Sequence, residues 1–191
     1  MKKFFIFTFF FIYLTLGVNA EIKHITSGNE NAKITIIAYE SLTCSHCADF
    51  HINVYPLLKK NYIDTGLAKI EFRHFPLDIA ALNAAKAAQC MNDQSLEVLE
   101  SLYSKQQDWV KGSTVDEINI NLNEFLEKEG FKIDLEKCLN DKEIENFVLN
   151  DRIKATKEFE INATPTIIIN NEKFKKTLNY KNLKKSLEKL I

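Results

Sequence analysis

The sequence predicts an α/β fold interrupted by a helical insertion, and three features carry that expectation. A β-branched segment over Ala32–Tyr39 feeds a helical pattern and then a second apolar segment, Ala68–Phe75. The middle of the chain, from Asp78 to Asn150, has helical periodicity and no strand signal. A third run, Thr166–Ile169, returns to strand character near the end. A strand–helix–strand unit followed by helices and a late strand is the order of a layered domain with a parallel pair of strands.

The start of the chain reads as a leader. Lys2 and Lys3 precede an uncharged apolar run from Phe4 to Val18, and Val18-Asn19-Ala20 offers a small-x-small cleavage site. The run falls short of the ~20 apolar residues a spanning helix needs. Residues 1–20 are therefore expected to be a cleaved signal peptide, and no cysteine follows Ala20 to take a lipid. At 191 residues, with 46% hydrophobic and 27% charged, the chain has the balance of a globular protein rather than a disordered or membrane-embedded one. Loss of Lys2 and Lys3 lowers the basic count from 25 to 23 against 26 acidic residues, a net charge of 23 − 26 = −3. That is no signature of nucleic-acid binding. The lysines of Lys173–Lys185 alternate with apolar residues and read as a solvated face.

Each element follows from local patterning. Within residues 21–76, the Ala32–Tyr39 strand runs into Phe50, Val54, Leu57 and Leu58 at helical spacing, so a helix is expected from Cys44 to about Tyr62. Gly66 marks its stop, and Pro76 ends the second strand, which should pair parallel with the first. Residues 77–149 are expected to form the helical insertion. Ala80, Ala84, Ala87 and Ala88 make one small-residue face, and Ile118, Leu122, Phe125 and Leu126 another. Ile144, Phe147 and Val148 open a long helix, Asp141 to Phe159, that returns the chain to the sheet. Trp109, Phe125, Phe147 and Phe159 read as helical core. Over residues 150–191 the Thr166–Ile169 strand is followed by a turn at Asn170-Asn171, an edge strand near Lys173–Lys175 and a helix with Leu183, Leu187 and Leu190 on one side.

The chemistry concentrates at Cys44 and Cys47. A Cys-x-x-Cys pair at a strand–helix junction sets the first sulfur beside unpaired backbone N–H groups and the positive end of the helix dipole, which stabilise a thiolate. Cys47, one turn on, can close a disulfide with it or attack a mixed one. Ser45 and His46 lie between them, and the His46 imidazole is expected to favour the Cys44 thiolate further. A zinc site would need two more ligands, and neither Cys90 nor Cys138 brings a second Cys-x-x-Cys, so no metal and no cofactor are expected. His24, His51 and His74 show no metal spacing and stay unassigned. Thr164-Pro165 heads an apolar strand where a proline is unusual, and a cis bond would explain it. Cys90 and Cys138 are expected to pair, because free thiols are a liability where disulfides form; two buried free thiols are the alternative.

These residues carry a resemblance. The leader, Cys44-Ser45-His46-Cys47 after a strand, the helical insertion, Thr164-Pro165 before a late strand, and Phe72-Arg73-His74-Phe75-Pro76-Leu77 together resemble the DsbA family of thioredoxin-fold oxidoreductases. The resemblance covers essentially all of the chain beyond the leader. It implies a thioredoxin fold with an inserted α-helical domain. It implies Cys44 as the nucleophile, Cys47 as its buried partner, Pro165 as a cis-proline facing them, and Thr164 as a source of backbone hydrogen bonds to an extended substrate. It further implies a periplasmic monomer that oxidises reduced, unfolded secreted proteins and is itself reoxidised by a DsbB-type membrane protein. Similar proteins sometimes carry an extra disulfide in the insertion.

Two positions depart from the family pattern. Ser45 stands where the family commonly has proline, which leaves the redox potential open. Ala38 stands where many thioredoxin-fold enzymes have a buried acid; Glu40, two residues on and on the same strand face, either substitutes as proton acceptor or is a solvated strand-end charge. The rival functions are a disulfide isomerase or reductase of the same fold held reduced, and a secreted binding or chaperone module whose Cys44–Cys47 bond is structural. Turnover of a dithiol peptide separates the last from the enzymes.

Overall fold

The computed structural model describes residues 22–91 and 95–191. The expected signal peptide, residues 1–20, lies outside them. Five strands form one sheet in the order β1-β3-β2-β4-β5: β1 (Ile25–Gly28), β2 (Ile34–Glu40), β3 (Ala68–His74), β4 (Thr166–Ile169) and β5 (Glu172–Lys173). β2 is central, pairing parallel with β3 from Ile34 opposite Ala68 to Glu40 opposite His74, and antiparallel with β4. All but one of its residues are buried, as a strand covered on both faces must be. Asn170 and Asn171, at φ 46° and 68°, make the two-residue turn that folds β5 back on β4. Strand β1, antiparallel on the outer edge of β3, was not expected; its four residues bury only Ile25 and carry no readable period.

One face of the sheet takes Ile34, Ile36, Ala38, Ile70 and Phe72 into the main core. The other takes Ile37, Tyr39 and Ile168 into a smaller cluster with Phe75, Ala155 and Ile161. The helix expected from Cys44 onward forms, with a difference: α1 (Ser45–Asp49) passes into a π-helical segment, Phe50–Val54, then α2 (Tyr55–Leu58) and a second π-helical segment, Lys59–Ile63. Pro56 explains the first irregularity, since it has no N–H to give the carbonyl four residues back and its ring crowds that carbonyl. Gly66 (φ 76°) follows, its N–H bonded to the Ile63 carbonyl.

Between β3 and β4 come α3 (Ile79–Cys90), α4 (Ser95–Ser104), α5 (Gln106–Trp109), α6 (Val115–Lys128), α7 (Leu135–Asn140) and α8 (Lys142–Phe159). The alanine face of α3 is buried throughout, and small side chains let the neighbouring helices α6, α7 and α8 pack closely on it. α8 runs unbroken through residues 149 and 150: Val148 packs in the main core and Ala155 in the smaller one, so a single helix serves both lobes. Trp109 is fully buried, its indole N–H donated to the Leu102 carbonyl at 2.9 Å. The last helix, α9 (Tyr180–Leu187), buries Leu183 and Leu187, but Leu190 lies past its end and is exposed. Among the described residues no helix is long and apolar enough to cross a membrane.

Candidate active site

Cys44 and Cys47 sit where the central strand hands over to its helix. Cys44 is the N-cap of α1, in extended conformation, and its carbonyl takes the N–H groups of Cys47 (3.1 Å) and Ala48 (3.2 Å). Three side chains hold the loop that leads into it. Thr43 donates to Asp78 at 2.7 Å, and Asp78 caps α3 through the Ala81 N–H. Ser41 accepts the Leu77 N–H at 3.3 Å. From the helical insertion, the Gln106 amide donates to the carbonyls of Leu42 (2.8 Å) and Cys44 (3.1 Å).

Both cysteines are free thiols with opposite surroundings. Cys44 is half-exposed and its thiol is lowered from 9.0 to about 5, first by a hydrogen bond from the Cys47 side chain, against burial, and then by a contact with Thr164 and the backbone N–H groups of Cys47 and His46. Cys47 is fully buried, and burial, the hydrogen bond it gives Cys44 and the nearby charge of Glu40 push its thiol far above the ordinary range. His46 therefore acts on Cys44 through its backbone; its ring, like Ser45, is exposed. The Thr164-Pro165 bond is cis, and the Cys44 sulfur lies 3.5 Å from the Thr164 carbonyl oxygen. A cavity of ≈ 190 Å³ beside the pair is lined by His46, Phe50, Val54, Thr164, Pro165 and Leu178.

Glu40 is not a solvated strand-end charge. It is 2% exposed, hydrogen-bonded to His51 Nε2 at 2.9 Å, and its carboxyl is raised by burial, against the influence of His51, with the Cys44 charge adding to the rise. Its position at the end of a strand suggested water; the helix and α4 close over that end instead. His51, unassigned from sequence, is the residue this site adds. It lies four residues after Cys47, the spacing that puts two side chains on one helix face, and that spacing was the available signal. Tyr103 stacks on the His51 ring at 4.1 Å. Gln106 and Tyr103 had no such signal, because both come from the insertion. Cys90 and Cys138, remote from this site, are joined in a disulfide with Cα atoms 5.8 Å apart. Among the described residues no three His, Cys, Asp or Glu side chains gather as a metal ion would require.

A family model described as thioredoxin matches residues 20–189, nearly the whole chain. The chain belongs to the thioredoxin family. Within that family it is similar to α-DsbA1 of Wolbachia pipientis, whose crystal structure superposes with a TM-score of 0.78 at 31% identity over 86% of this chain and 89% of that one. It is 31% identical, over 75% of its length, to a Rickettsia bellii protein provisionally named protein-disulfide oxidoreductase, and spans 55% of that relative. It is 26% identical to disulfide bond formation protein D of Bacillus subtilis, over 85% of this chain and 74% of that one. The sheet, the Cys44–Cys47 helix start and the inserted helices are thus those of a thioredoxin fold with DsbA-like elaboration.

Proposed function

We propose that this chain is a protein thiol-disulfide oxidoreductase that donates the Cys44–Cys47 disulfide to reduced secreted polypeptides outside the cytoplasm. The observation that carries this reading is the opposition between the two sulfurs. A substrate thiolate attacks the accessible Cys44 sulfur, the Cys44–Cys47 bond breaks, and its electron pair leaves with Cys47, which becomes a buried thiol. A second substrate thiolate then attacks the substrate sulfur of the mixed disulfide and expels Cys44 as a thiolate. With its thiol held near 5, Cys44 is a stable leaving group at neutral pH, which favours the reduced enzyme and the oxidised substrate. The backbone at Thr164 and Pro165, facing Cys44 beside the cavity, would hold an extended substrate segment by strand addition. Glu40 is the proton partner of Cys47. The protein acts as a monomer, and a DsbB-type membrane protein reoxidises it.

The test is the reduction potential of the Cys44–Cys47 couple in glutathione buffers, with Cys90 and Cys138 followed separately by mass-spectrometric labelling. A value well above the roughly −270 mV of thioredoxin is expected. A strongly reducing value would make the chain a reductase or isomerase, and a pair that does not exchange would leave only the binding-module reading.

A further inference from the structure

We propose that Asp49 is a specificity-determining residue whose carboxylate selects substrate segments carrying Lys or Arg two residues from the reacting cysteine. The inference rests on the oxidoreductase reading above and names the class of polypeptide that the same site prefers.

The cavity beside Cys44 is divided into an apolar interior and a charged mouth. Its ≈ 190 Å³ gives room for one long side chain. Phe50 and Val54 line it and are buried, so they form its inner wall, with Pro165 and Leu178 half-buried beside them. Asp49, the last residue of α1, lines it too and is exposed, which sets its carboxylate at the opening. That carboxylate is oriented but not neutralised. Its Oδ1 accepts the Asn53 side-chain amide at 2.6 Å, one turn further along the helix. Among the described residues its Oδ2 has no hydrogen-bond donor, and no Lys, Arg or His forms an ion pair with it, His46 on the same rim included.

Strand addition decides which substrate residue arrives there. A segment extended along Thr164 and Pro165 alternates its side chains between two faces, at about 3.3 Å per residue. Its cysteine turns toward Cys44, whose sulfur lies 3.5 Å from the Thr164 carbonyl oxygen. The next side chain on that face belongs to the residue two places away, about 7 Å along the segment, and Thr164 and Pro165 themselves line the cavity. Lys and Arg match both of its parts. The methylene stem covers Phe50, Val54 and Leu178, and the cationic head meets the unpaired oxygen of Asp49 at the mouth. A Glu in the same place brings two like charges together, and a short polar side chain leaves the apolar wall uncovered.

The test is the second-order rate at which the oxidised full protein is reduced by dithiol peptides that differ in one residue. Lys, Gln or Glu is placed either two before or two after the attacking cysteine. At one of those places the Lys peptide should react fastest and the Glu peptide slowest. Asp49→Asn should shrink the Lys-to-Glu ratio by roughly twofold to fivefold, the weight of one partly exposed ion pair. Asp49→Lys should invert the order. Comparing each variant's ratio with that of the unmodified protein cancels the peptides' own reactivity. A merely structural Asp49, whose loss slows all three peptides alike, leaves the ratio unmoved. In the unmodified protein the preference should also fade at about 1 M salt, where charges are screened beyond about 3 Å. That measurement decides the matter if the variants fold poorly. No Lys preference at either place, an unchanged ratio in Asp49→Asn, or a preference that salt does not weaken would overturn selection by charge and leave the oxidoreductase reading intact. Failure of every peptide to reduce the unmodified protein would remove the reading beneath it.

Discussion

The Gln106 side chain donates to the Cys44 carbonyl at 3.1 Å and to the Leu42 carbonyl at 2.8 Å, so a residue of the helical insertion holds the backbone on which the reactive sulfur sits. The Cys44 carbonyl has two further donors in Cys47 and Ala48, but Leu42 is buried and depends on Gln106. Gln106→Ala should therefore destabilise the protein by about 1–3 kcal/mol, the cost of a buried acceptor left without a donor. Urea unfolding followed by the fluorescence of Trp109, the chain's one tryptophan, measures this directly. A change under a few tenths of a kcal/mol would mean that water replaces the amide.

Cys44 and Cys47 should label very differently. In the reduced native protein, alkylation of Cys44 should rise with pH around a midpoint of about 5 and be complete at neutral pH, while Cys47 stays unmodified until the protein unfolds. Mass spectrometry after timed iodoacetamide treatment distinguishes the two sites. A Cys44 midpoint near the ordinary thiol value would remove the basis for calling the pair an oxidant.

His74, buried at the end of β3, is lowered from 6.5 to about 4, chiefly by burial and also by the charge of His24, against the opposing influence of Asp151 and Gln89. The unfolded chain binds this proton more readily, so the contribution is complete above pH 6.5 and is lost as pH falls toward 4. Its size is roughly 3 kcal/mol. Unfolding curves at neutral pH and in the acid range should show a steeper loss for the unmodified protein than for His74→Phe, which has nothing to protonate. Equal slopes would show that carboxylates alone set the acid limit.

The disulfide between Cys90 and Cys138 spans 48 residues of the insertion and ties the end of α3 to α7. Replacing both by alanine should lower stability by up to about 4 kcal/mol, since the unfolded chain regains the freedom of that loop. The rate of thiol exchange at Cys44 should be unaffected, because the bond lies away from that site. A large change in that rate would show that the insertion transmits its state to Cys44, by way of Gln106.

The parts legible in the sequence are those written in local terms. Strands β2 and β4 announce themselves as β-branched runs because a doubly covered strand must be apolar along its length, while β3 shows itself by alternation, Lys69, Glu71 and Arg73 falling between buried Ala68, Ile70, Phe72 and His74. The helices of the insertion show their buried faces by period, and Cys44-Ser45-His46-Cys47 declares its chemistry by spacing alone. Strand β1 was not legible, because four residues at a sheet edge bury one side chain. The π-helical segments shift the buried face of this helix, so that Leu57, placed on that face by helical spacing, is exposed while Phe50, Val54 and Leu58 are buried.

The order of the elements other than β1, and the Cys-x-x-Cys pair at the end of the first long strand, can be read from residues close together in the chain. The character of Glu40 depends instead on the folded chain. One residue at the end of a strand could equally face water, and its fate was settled by His51 eleven positions on and by Tyr103 from the insertion, which close it in. The same holds for Cys44, whose sulfur meets Thr164 from the far end of the chain and whose carbonyl is held by Gln106. Hydrogen bonds and burial act across space, and no local pattern records which distant side chain will arrive.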